Sequence, residues 1–309
     1  MEIRSECYGC LERLVDLTVG LATSASGLQE QARQAALAII AREFGPKAIP
    51  ARLANIFHRS IREITGNTDP FASRKEAETA FLADLYRKIA PSYGDDLESL
   101  LKLAVLGNAI DFFRDADEVR TEILAGVDFE VSHLPQFQEM LTEKPGLLLY
   151  LADNAGEQYF DRPLVEHLRR LGWQVLYVVK GGPIQNDLTR EDLYASGLGE
   201  ALEPVVDTGA RTVGLVLEEV GDAFREIFFQ ARIILAKGMG HFETMSHLGD
   251  PRVFFLLQAK CGPVARALGV PRRGFVFQRG REVVGGGPGK KVGAKRGKGK
   301  KAKRKRNNL

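Results

Sequence analysis

The chain has 309 residues, of which 44% are hydrophobic and 27% are charged. This balance is typical of globular proteins and excludes a largely disordered or collagen-like chain. The sequence has no apolar run of about 18 residues, which argues against a membrane-spanning helix. Its charged start argues against a signal peptide, and three cysteines do not make a disulfide framework. We therefore expect a cytoplasmic protein.

The formal net charge of +3 hides an uneven distribution. Residues 285–309 hold eleven Lys or Arg, seven Gly and no acidic residue, whereas residues 1–284 carry a net charge of −8. Such a segment buries too little apolar surface to offset the entropy lost on ordering, so we predict a disordered basic tail. Its charge predicts non-specific binding of nucleic acid.

The sequence before residue 144 predicts helices and no strand. Apolar residues recur at helical spacing in five successive segments. These segments are Leu11–Leu21, Gln29–Phe44, Arg52–Ile64, Lys75–Ile89 and Asp96–Phe113.

The pattern changes from Lys144 onwards to short apolar runs separated by helical segments. The runs typical of strands buried on both faces are Leu147–Leu151, Val175–Val179, Pro204–Val206, Ile233–Ala236 and Phe275–Phe277. Helices are predicted at Pro163–Leu171, Arg190–Ala195, Val213–Phe229 and Val253–Leu268. This alternation predicts an α/β fold with a doubly wound, mainly parallel, Rossmann-like sheet at residues 144–284, preceded by an all-helical subdomain at residues 1–143.

Polar residues follow the predicted strands, where ligands of such sheets bind. Asp153 and Asn154 follow the first strand, Asp187 follows the second, and Lys237 ends the fourth. Carboxylate and amide oxygens suit Mg²⁺, Mn²⁺ or a similar divalent ion. We interpret Asp161 as a helix N-cap or a turn residue, and Thr189 as the cap of a capping box with the acidic residue three positions later.

Several short motifs in a fixed order resemble the DUF89 family of metal-dependent damage-control phosphatases, whose domain is also called ARMT1-like. They are Cys7-Tyr8-Gly9-Cys10, Gly107-Asn108-Ala109-Ile110-Asp111, Asp153-Asn154-Ala155-Gly156-Glu157, Asn186-Asp187-Leu188-Thr189, Asp207-Thr208-Gly209, Lys237-Gly238 with Phe242-Glu243, and Lys260-Cys261. The cysteine pair near the start implies the prokaryote-type branch. The resemblance also implies hydrolysis of small phosphate monoesters, either sugar phosphates or damaged phosphometabolites. It implies a divalent Mn, Mg, Co or Ni ion held by Asp153, Asn154 and Asp187.

Phosphoryl transfer requires charge neutralisation and an activated water. We expect Asp153 and Asp187 to be catalytic, and Lys237 to place a positive charge beside the phosphate oxygens. Backbone N–H groups at residues 155–157 are expected to add anion contacts. The other predicted substrate-binding residues are Asn108, Asp111, Glu157, Gly238 and Glu243.

Alternative functions remain open from the sequence. Ala155 stands where haloacid-dehalogenase-type phosphatases carry a second Asp, so we expect attack by water without a phospho-enzyme. A dinucleotide fingerprint at Lys237–Gly240 lacks its third glycine, which Glu243 replaces. A methyltransferase and a nucleic-acid-associated protein acting through the tail are the other candidates.

Two further features have more than one interpretation. Cys7, Cys10 and Cys261 are compatible with a three-thiolate metal site, a redox pair or ordinary buried thiols. His241 stands where the family usually carries Asn, so the role of this side chain is open.

Overall fold

A computed structural model describes residues 1–109 and 126–280. Its strands are β1 (Phe129–Ser132), β2 (Leu147–Leu151), β3 (Gln174–Val179), β4 (Val205–Asp207), β5 (Ile233–Lys237), β6 (Val253–Gln258) and β7 (Phe275–Arg279). They form one sheet in the order β1-β7-β6-β5-β2-β3-β4. Strands β2 to β6 are parallel, and β7 pairs antiparallel with β6 and parallel with β1.

The strand order reverses between β2 and β5. From β2 the chain moves outwards through β3 and β4, then returns to place β5 on the other side of β2. Loops that leave the carboxyl ends of two such strands diverge and open a crevice between them. The residues that follow β2 and β5 therefore border the place where ligands of doubly wound sheets bind.

Helices cover the sheet and also form the N-terminal part of the chain. They are α1 (Glu6–Ala22), α2 (Ser26–Glu43), α3 (Pro50–Thr65), α4 (Ala72–Ile89), α5 (Leu97–Gly107), α6 (Leu134–Thr142), α7 (Gln158–Arg170), α8 (Arg190–Ala195), α9 (Gly199–Leu202), α10 (Asp222–Gln230), α11 (Gly238–Met245) and α12 (Gly262–Leu268). None of these described helices is long and apolar enough to cross a membrane.

Both faces of the sheet are buried, which explains the continuous apolar runs. Tyr150 and Leu235 lie in the cluster that includes apolar residues of α5 and α7. Leu149 and Ile234 lie in the opposite cluster, with residues of α10, α11 and α12. Successive strand residues point to opposite faces, so a strand covered on both sides loses its polar alternation.

The first three helices form a core of their own. Val15 of α1, Ala36 and Ile40 of α2, and Phe57 of α3 are fully buried in one apolar cluster. The small Ala side chains let α2 approach its neighbours closely. The structure therefore has the predicted α/β architecture with a helical N-terminal region.

Two of the predicted helices are wrong in part. Val253–Leu268 contains the fully buried strand β6, then a loop, and only then α12. A short apolar run has no period that separates a buried strand from a buried helix. In Val213–Phe229, only the part from Asp222 onwards is helical.

Other local predictions also need correction. Strand β1 lies where the sequence indicated helices only, and its burial alternates because it is an edge strand. Helix α7 starts at Gln158 and continues through Pro163, whereas the sequence predicted a helix that begins only at Pro163. Burial of Phe160, Leu164 and Leu168 on one face of α7 offsets the backbone hydrogen bond that Pro163 cannot make.

Candidate active site

The loops that follow β2 and β3 are joined at the carboxyl edge of the sheet. Asn154 and Asp187 form an isolated antiparallel bridge. The N–H of Leu188 donates to the carbonyl of Asp153 at 2.8 Å. Because β2 and β3 are parallel neighbours, their loops start at the same edge. The structure thus brings Asp153, Asn154 and Asp187 onto two connected loops.

Two side-chain amides connect the buried carboxylates of Asp153 and Glu157. Asn108 Nδ2 donates to Asp153 Oδ2 at 2.8 Å and to Glu157 Oε1 at 3.0 Å. Asn154 Nδ2 donates to the same two oxygens, at 3.0 and 2.7 Å. Asn108 caps the end of α5, so the helical part of the chain contributes directly to the site. Asp111, its predicted companion, lies outside the described residues.

Burial shifts the pKa values of these carboxyl groups. It raises the pKa of Asp153 to about 8, with the nearby charges of Glu157 and Asp187 acting in the same direction. It raises the pKa of Asp187 to about 6, although Lys180 opposes the shift. Burial also acts on Glu157, but the charges of Lys237 and Lys260 outweigh it and lower the pKa of that carboxyl group. Burial therefore disfavours the ionised forms of Asp153 and Asp187, whereas the nearby lysines favour the ionised form of Glu157.

Gly238 makes room for the carboxylate of Asp153. Its φ is +79°, and a Cβ atom there would lie 1.9 Å from Asp153 Oδ2. Because two non-bonded atoms cannot approach so closely, any side chain at this position must displace Asp153. Gly238, a predicted substrate-binding residue, is thus in contact with the proposed metal ligand itself.

We expect Gly238→Ala to lower kcat/KM for phosphate monoesters by about a hundredfold, because a misplacement of about 1 Å in an active site has effects of that size. Gly269→Ala is the matched control. Gly269 has a φ of +72°, but no atom lies within 4 Å of the place that a Cβ would take, so it carries the backbone strain without the contact. Steady-state kinetics and thermal unfolding of both variants measure the difference. Equal losses of activity in the two would contradict the steric explanation.

Lys237 is fully buried and pairs with two carboxylates. Its Nζ lies 2.9 Å from Glu157 Oε2 and 2.5 Å from Asp161 Oδ1, and it donates to the carbonyl of Ala104 at 2.8 Å. Its hydrogen bonds go to Asp161 and Ala104, and its contact with Glu157 is an ion pair. Lys237 thus holds Glu157 in place, and its predicted contact with phosphate stays a prediction.

Asp161 belongs to this group, and its interpretation as a helix N-cap is wrong. It lies inside α7, one turn after Glu157, and is fully buried. Its two oxygens accept the hydroxyl groups of Tyr150 and Tyr177, each at 2.7 Å. The two tyrosines are direct register partners in β2 and β3. Two hydroxyls inside otherwise aliphatic strands need buried acceptors, and that signal was present in the sequence.

The site geometry agrees with the comparison of the chain with known proteins. Residues 3–275 match the family model described as the damage-control phosphatase ARMT1-like domain. This chain belongs to the ARMT1-like (DUF89) family.

Two curated relatives and one crystal structure are similar to nearly the whole chain. A damage-control phosphatase from Pyrococcus horikoshii is 36% identical over 288 residues, which cover 90% of this chain and 98% of the relative. A damage-control phosphatase from Archaeoglobus fulgidus is 29% identical over 284 residues, 87% of this chain and 96% of the relative. The crystal structure of a DUF89 family protein from Pyrococcus horikoshii has a TM-score of 0.82 at 35% identity, and the match covers 91% of this chain and 100% of that one. These similarities support a phosphatase role for the ARMT1-like chain, while the branch implied by its cysteine pair stays a prediction.

In this ARMT1-like chain, Lys180 connects Asp187 to His241. Lys180 Nζ lies 3.3 Å from Asp187 Oδ2 and 3.2 Å from His241 Nε2. His241 Nδ1 lies 2.6 Å from the carbonyl of Lys237, so Nδ1 carries the proton and Nε2 accepts from Lys180. Burial, together with the charge of Lys180, lowers the pKa of His241 well below its usual value. His241 is therefore a neutral link between the end of β5 and Lys180.

Glu243, predicted to bind substrate, makes a contact between α11 and α3. Its Oε2 accepts the N–H of Ala51 at 3.0 Å, and the ammonium group of Met1 donates to its main-chain carbonyl. Burial raises the pKa of Glu243 to about 7, against the opposing effects of the Ala51 N–H and the N-terminal charge. A contact between Glu243 and substrate stays a prediction.

We expect Glu243→Gln to stabilise the fold more at pH 8 than at pH 4.5. A folded-state pKa above the ordinary value means that folding favours the protonated carboxyl group. The stabilisation that the protonated carboxyl group of Glu243 contributes is full below about pH 4.5 and is lost as the pH rises through about 7. Gln keeps an acceptor for Ala51 and cannot ionise. The gap in free energy of unfolding between variant and wild type should therefore widen by roughly 2–4 kcal/mol across this range. Urea denaturation at both pH values measures it, and a gap independent of pH would contradict the assignment.

The predicted backbone anion contacts at residues 155–157 are not available. The N–H of Ala155 donates to the carbonyl of Asn186, that of Glu157 donates to the carbonyl of Asn154, and that of Gly156 donates to Gln158 Oε1. By contrast, the predicted capping box of Thr189 with Asp192 at the start of α8 is confirmed.

None of the three cysteines, all of which lie in the described residues, forms a disulfide bond. Within residues 1–109 and 126–280, no three Cys, His, Asp or Glu side chains are arranged to hold a metal ion, so the three-thiolate site is not formed there. Burial raises the pKa of Cys261 to about 12, which keeps its thiol protonated. The basic tail lies outside the described residues.

Proposed function

We propose that this chain is a metal-dependent phosphatase that hydrolyses small phosphate monoesters, either sugar phosphates or damaged phosphometabolites, with a metal-activated water. The observation that carries the proposal is the placement of Asp153, Asn154 and Asp187 on connected loops at the switch point of the sheet. Family membership and the names of two relatives support the same reaction class.

The residues present fit a hard divalent cation in their chemistry. Asp153 and Asp187 supply carboxylate oxygens, and burial raises the pKa of both, so a positive ion between them would offset an electrostatic cost. Asn154 offers an amide oxygen, although its Nδ2 currently faces the carboxylates. The donors are two carboxylates and one amide, which suit Mn²⁺, Mg²⁺, Co²⁺ or Ni²⁺.

A bound divalent ion would neutralise phosphoryl oxygens and lower the pKa of a water molecule. The chain itself supplies the remaining functions. Asn108 and Glu157 fix the orientation of Asp153 and Asn154 through their hydrogen bonds. Lys260 follows β6 and acts electrostatically on both Asp153 and Glu157, so it supplies positive charge at the same edge. We propose Lys260 as a second phosphate-binding residue, beside the predicted contact of Lys237.

A direct attack by water follows from the side chains that surround Asp153. Ala155, two residues further on, has no group that can donate a proton to a leaving oxygen. Asp153 Oδ2 is also held by two amide donors, which reduces its nucleophilicity. We therefore expect no phosphorylated aspartate during turnover.

A phosphatase screen tests the proposal. The purified chain is assayed on sugar phosphates and cofactor phosphates with Mn²⁺, Mg²⁺, Co²⁺ or Ni²⁺, and with a chelator. We expect release of phosphate that depends on the added metal and is absent in the chelator. Acid-quench mass spectrometry during turnover should show an unmodified Asp153. Hydrolysis that persists in chelator, or a phosphorylated Asp153, would contradict the mechanism.

A further inference from the structure

Arg62 and Arg211 lie next to the loop that carries Asp187. His58 and Arg62 lie one turn apart on α3, and His58 Nε2 lies 2.9 Å from Gln185 Nε2 in this loop. Arg211 covers the other end of the same loop, because a Cβ at Gly182 would come within 2.4 Å of Arg211 Nε. Burial lowers the pKa of His58 to about 3, so His58 is neutral and holds the loop without adding charge.

Arg62 and Arg211 differ from their neighbour Arg59 in their pairing. Within the part of the chain that the structure describes, Arg59 has an ion-pair partner, Glu219, at 3.2 Å. Over the same residues, Arg62 and Arg211 make no hydrogen bond or ion pair through their guanidinium groups. Arg62 is half-buried and Arg211 is exposed.

The two arginines come from segments that are in contact, because the N–H of Val213 donates to Asn55 Oδ1 of α3 at 2.8 Å. Burial lowers the pKa of Arg62, and the charges of Arg211 and Arg59 add to the effect. Glu63 and Asp69 oppose it, but Asp69 is already paired with Lys75 at 2.8 Å. An anion that binds between the two guanidinium groups would offset the repulsion between their charges.

We propose that Arg62 and Arg211 form a subsite for a second acidic group on the substrate, either a carboxylate or a second phosphate. The inference rests on the proposed phosphatase function and narrows its substrate class. Guanidinium groups bind both anions through paired, charge-assisted hydrogen bonds. The scissile phosphate would then lie beside Asp153, and the second acidic group beside Arg62 and Arg211. The substrate class is a phosphate monoester that carries another negative charge at a distance from the ester.

Binding of three matched open-chain compounds tests this subsite. Sorbitol phosphate is neutral at the far end, phosphogluconate carries a carboxylate there, and sorbitol bisphosphate carries a second phosphate. Calorimetric titration in chelator compares wild type with the double variant Arg62→Gln/Arg211→Gln. We expect wild type to prefer the two doubly acidic compounds over sorbitol phosphate by at least about tenfold, which is the usual size of a charge-assisted contact. The double variant should lose this preference.

Arg59→Gln is the control, because it removes the same charge from the same helix at a residue that has a partner. It should keep the preference of wild type. Equal affinity of wild type for all three compounds, or loss of the preference in Arg59→Gln as well, would overturn the subsite. A preference for only one doubly acidic compound identifies the second group as carboxylate or phosphate. Because binding is measured without metal, a failed hydrolysis assay would count against the phosphatase proposal alone.

Discussion

Asp153→Asn and Asp187→Asn are each expected to abolish metal-dependent hydrolysis, with a fall in kcat/KM of about a thousandfold or more. Each substitution replaces a carboxylate with an amide of the same shape. A hard cation then loses a charged ligand, and with it several kcal/mol of transition-state stabilisation. Calorimetric titration with Mn²⁺ should show weaker binding in both variants.

These substitutions should leave the fold intact. Burial disfavours the ionised form of both carboxyl groups, so a neutral amide is tolerated in the absence of metal. Asp222→Asn serves as the control, because Asp222 is exposed and pairs only with Arg225 on the surface of α10. Wild-type metal affinity and turnover in both site variants would remove Asp153 and Asp187 from the metal site.

Lys237→Met is expected to destabilise the fold by about 3–5 kcal/mol, because it leaves two buried carboxylates without their cation. For a chain of this length, that loss lowers the melting temperature by roughly 10 °C. Activity should fall as well, since Glu157 would no longer be held beside Asn108 and Asn154. Thermal unfolding and steady-state kinetics measure both effects.

A second substitution separates this structural explanation from a contact with substrate. Adding Asp161→Asn to Lys237→Met removes one of the stranded carboxylates and should recover part of the lost stability. If Lys237 instead contacts phosphate, Lys237→Met raises KM, leaves the melting temperature unchanged, and gains nothing from Asp161→Asn. That outcome would support the predicted contact of Lys237 with substrate.

The sequence allowed prediction of the sheet and of the loops that carry Asp153 and Asp187, because both have local signals. Apolar runs such as Leu147–Leu151 end at polar residues, and parallel strands place those ends together. The same signal also gave a wrong prediction, because Val253–Gln258 has the composition of either a buried strand or a buried helix. Only its pairing with β5 and β7 decides between them.

Side-chain partners within the site could not be predicted from spacing alone. Lys237 ends an apolar strand, which is also where a lysine that binds a ligand would stand. Whether its ammonium group contacts a phosphate or a carboxylate depends on the position of α7. That helix begins before Pro163 and places Glu157 and Asp161 on one face. The helix start depends on tertiary packing that outweighs the local signal of proline. Asp161 was misassigned for the same reason.

The pairing of the two oxygens of Asp161 with two tyrosines has a consequence for how related chains diverge. Each oxygen accepts one hydroxyl, and one of them also binds the ammonium of Lys237. A change to Phe at position 150 or 177 removes a donor from a buried acceptor, and loss of Lys237 leaves the buried carboxylate of Asp161 without its cation. A single replacement at one of these positions therefore lowers the stability of the fold, whereas a joint replacement of the paired residues does not. We expect positions 150, 161, 177 and 237 to vary as a set among ARMT1-like proteins.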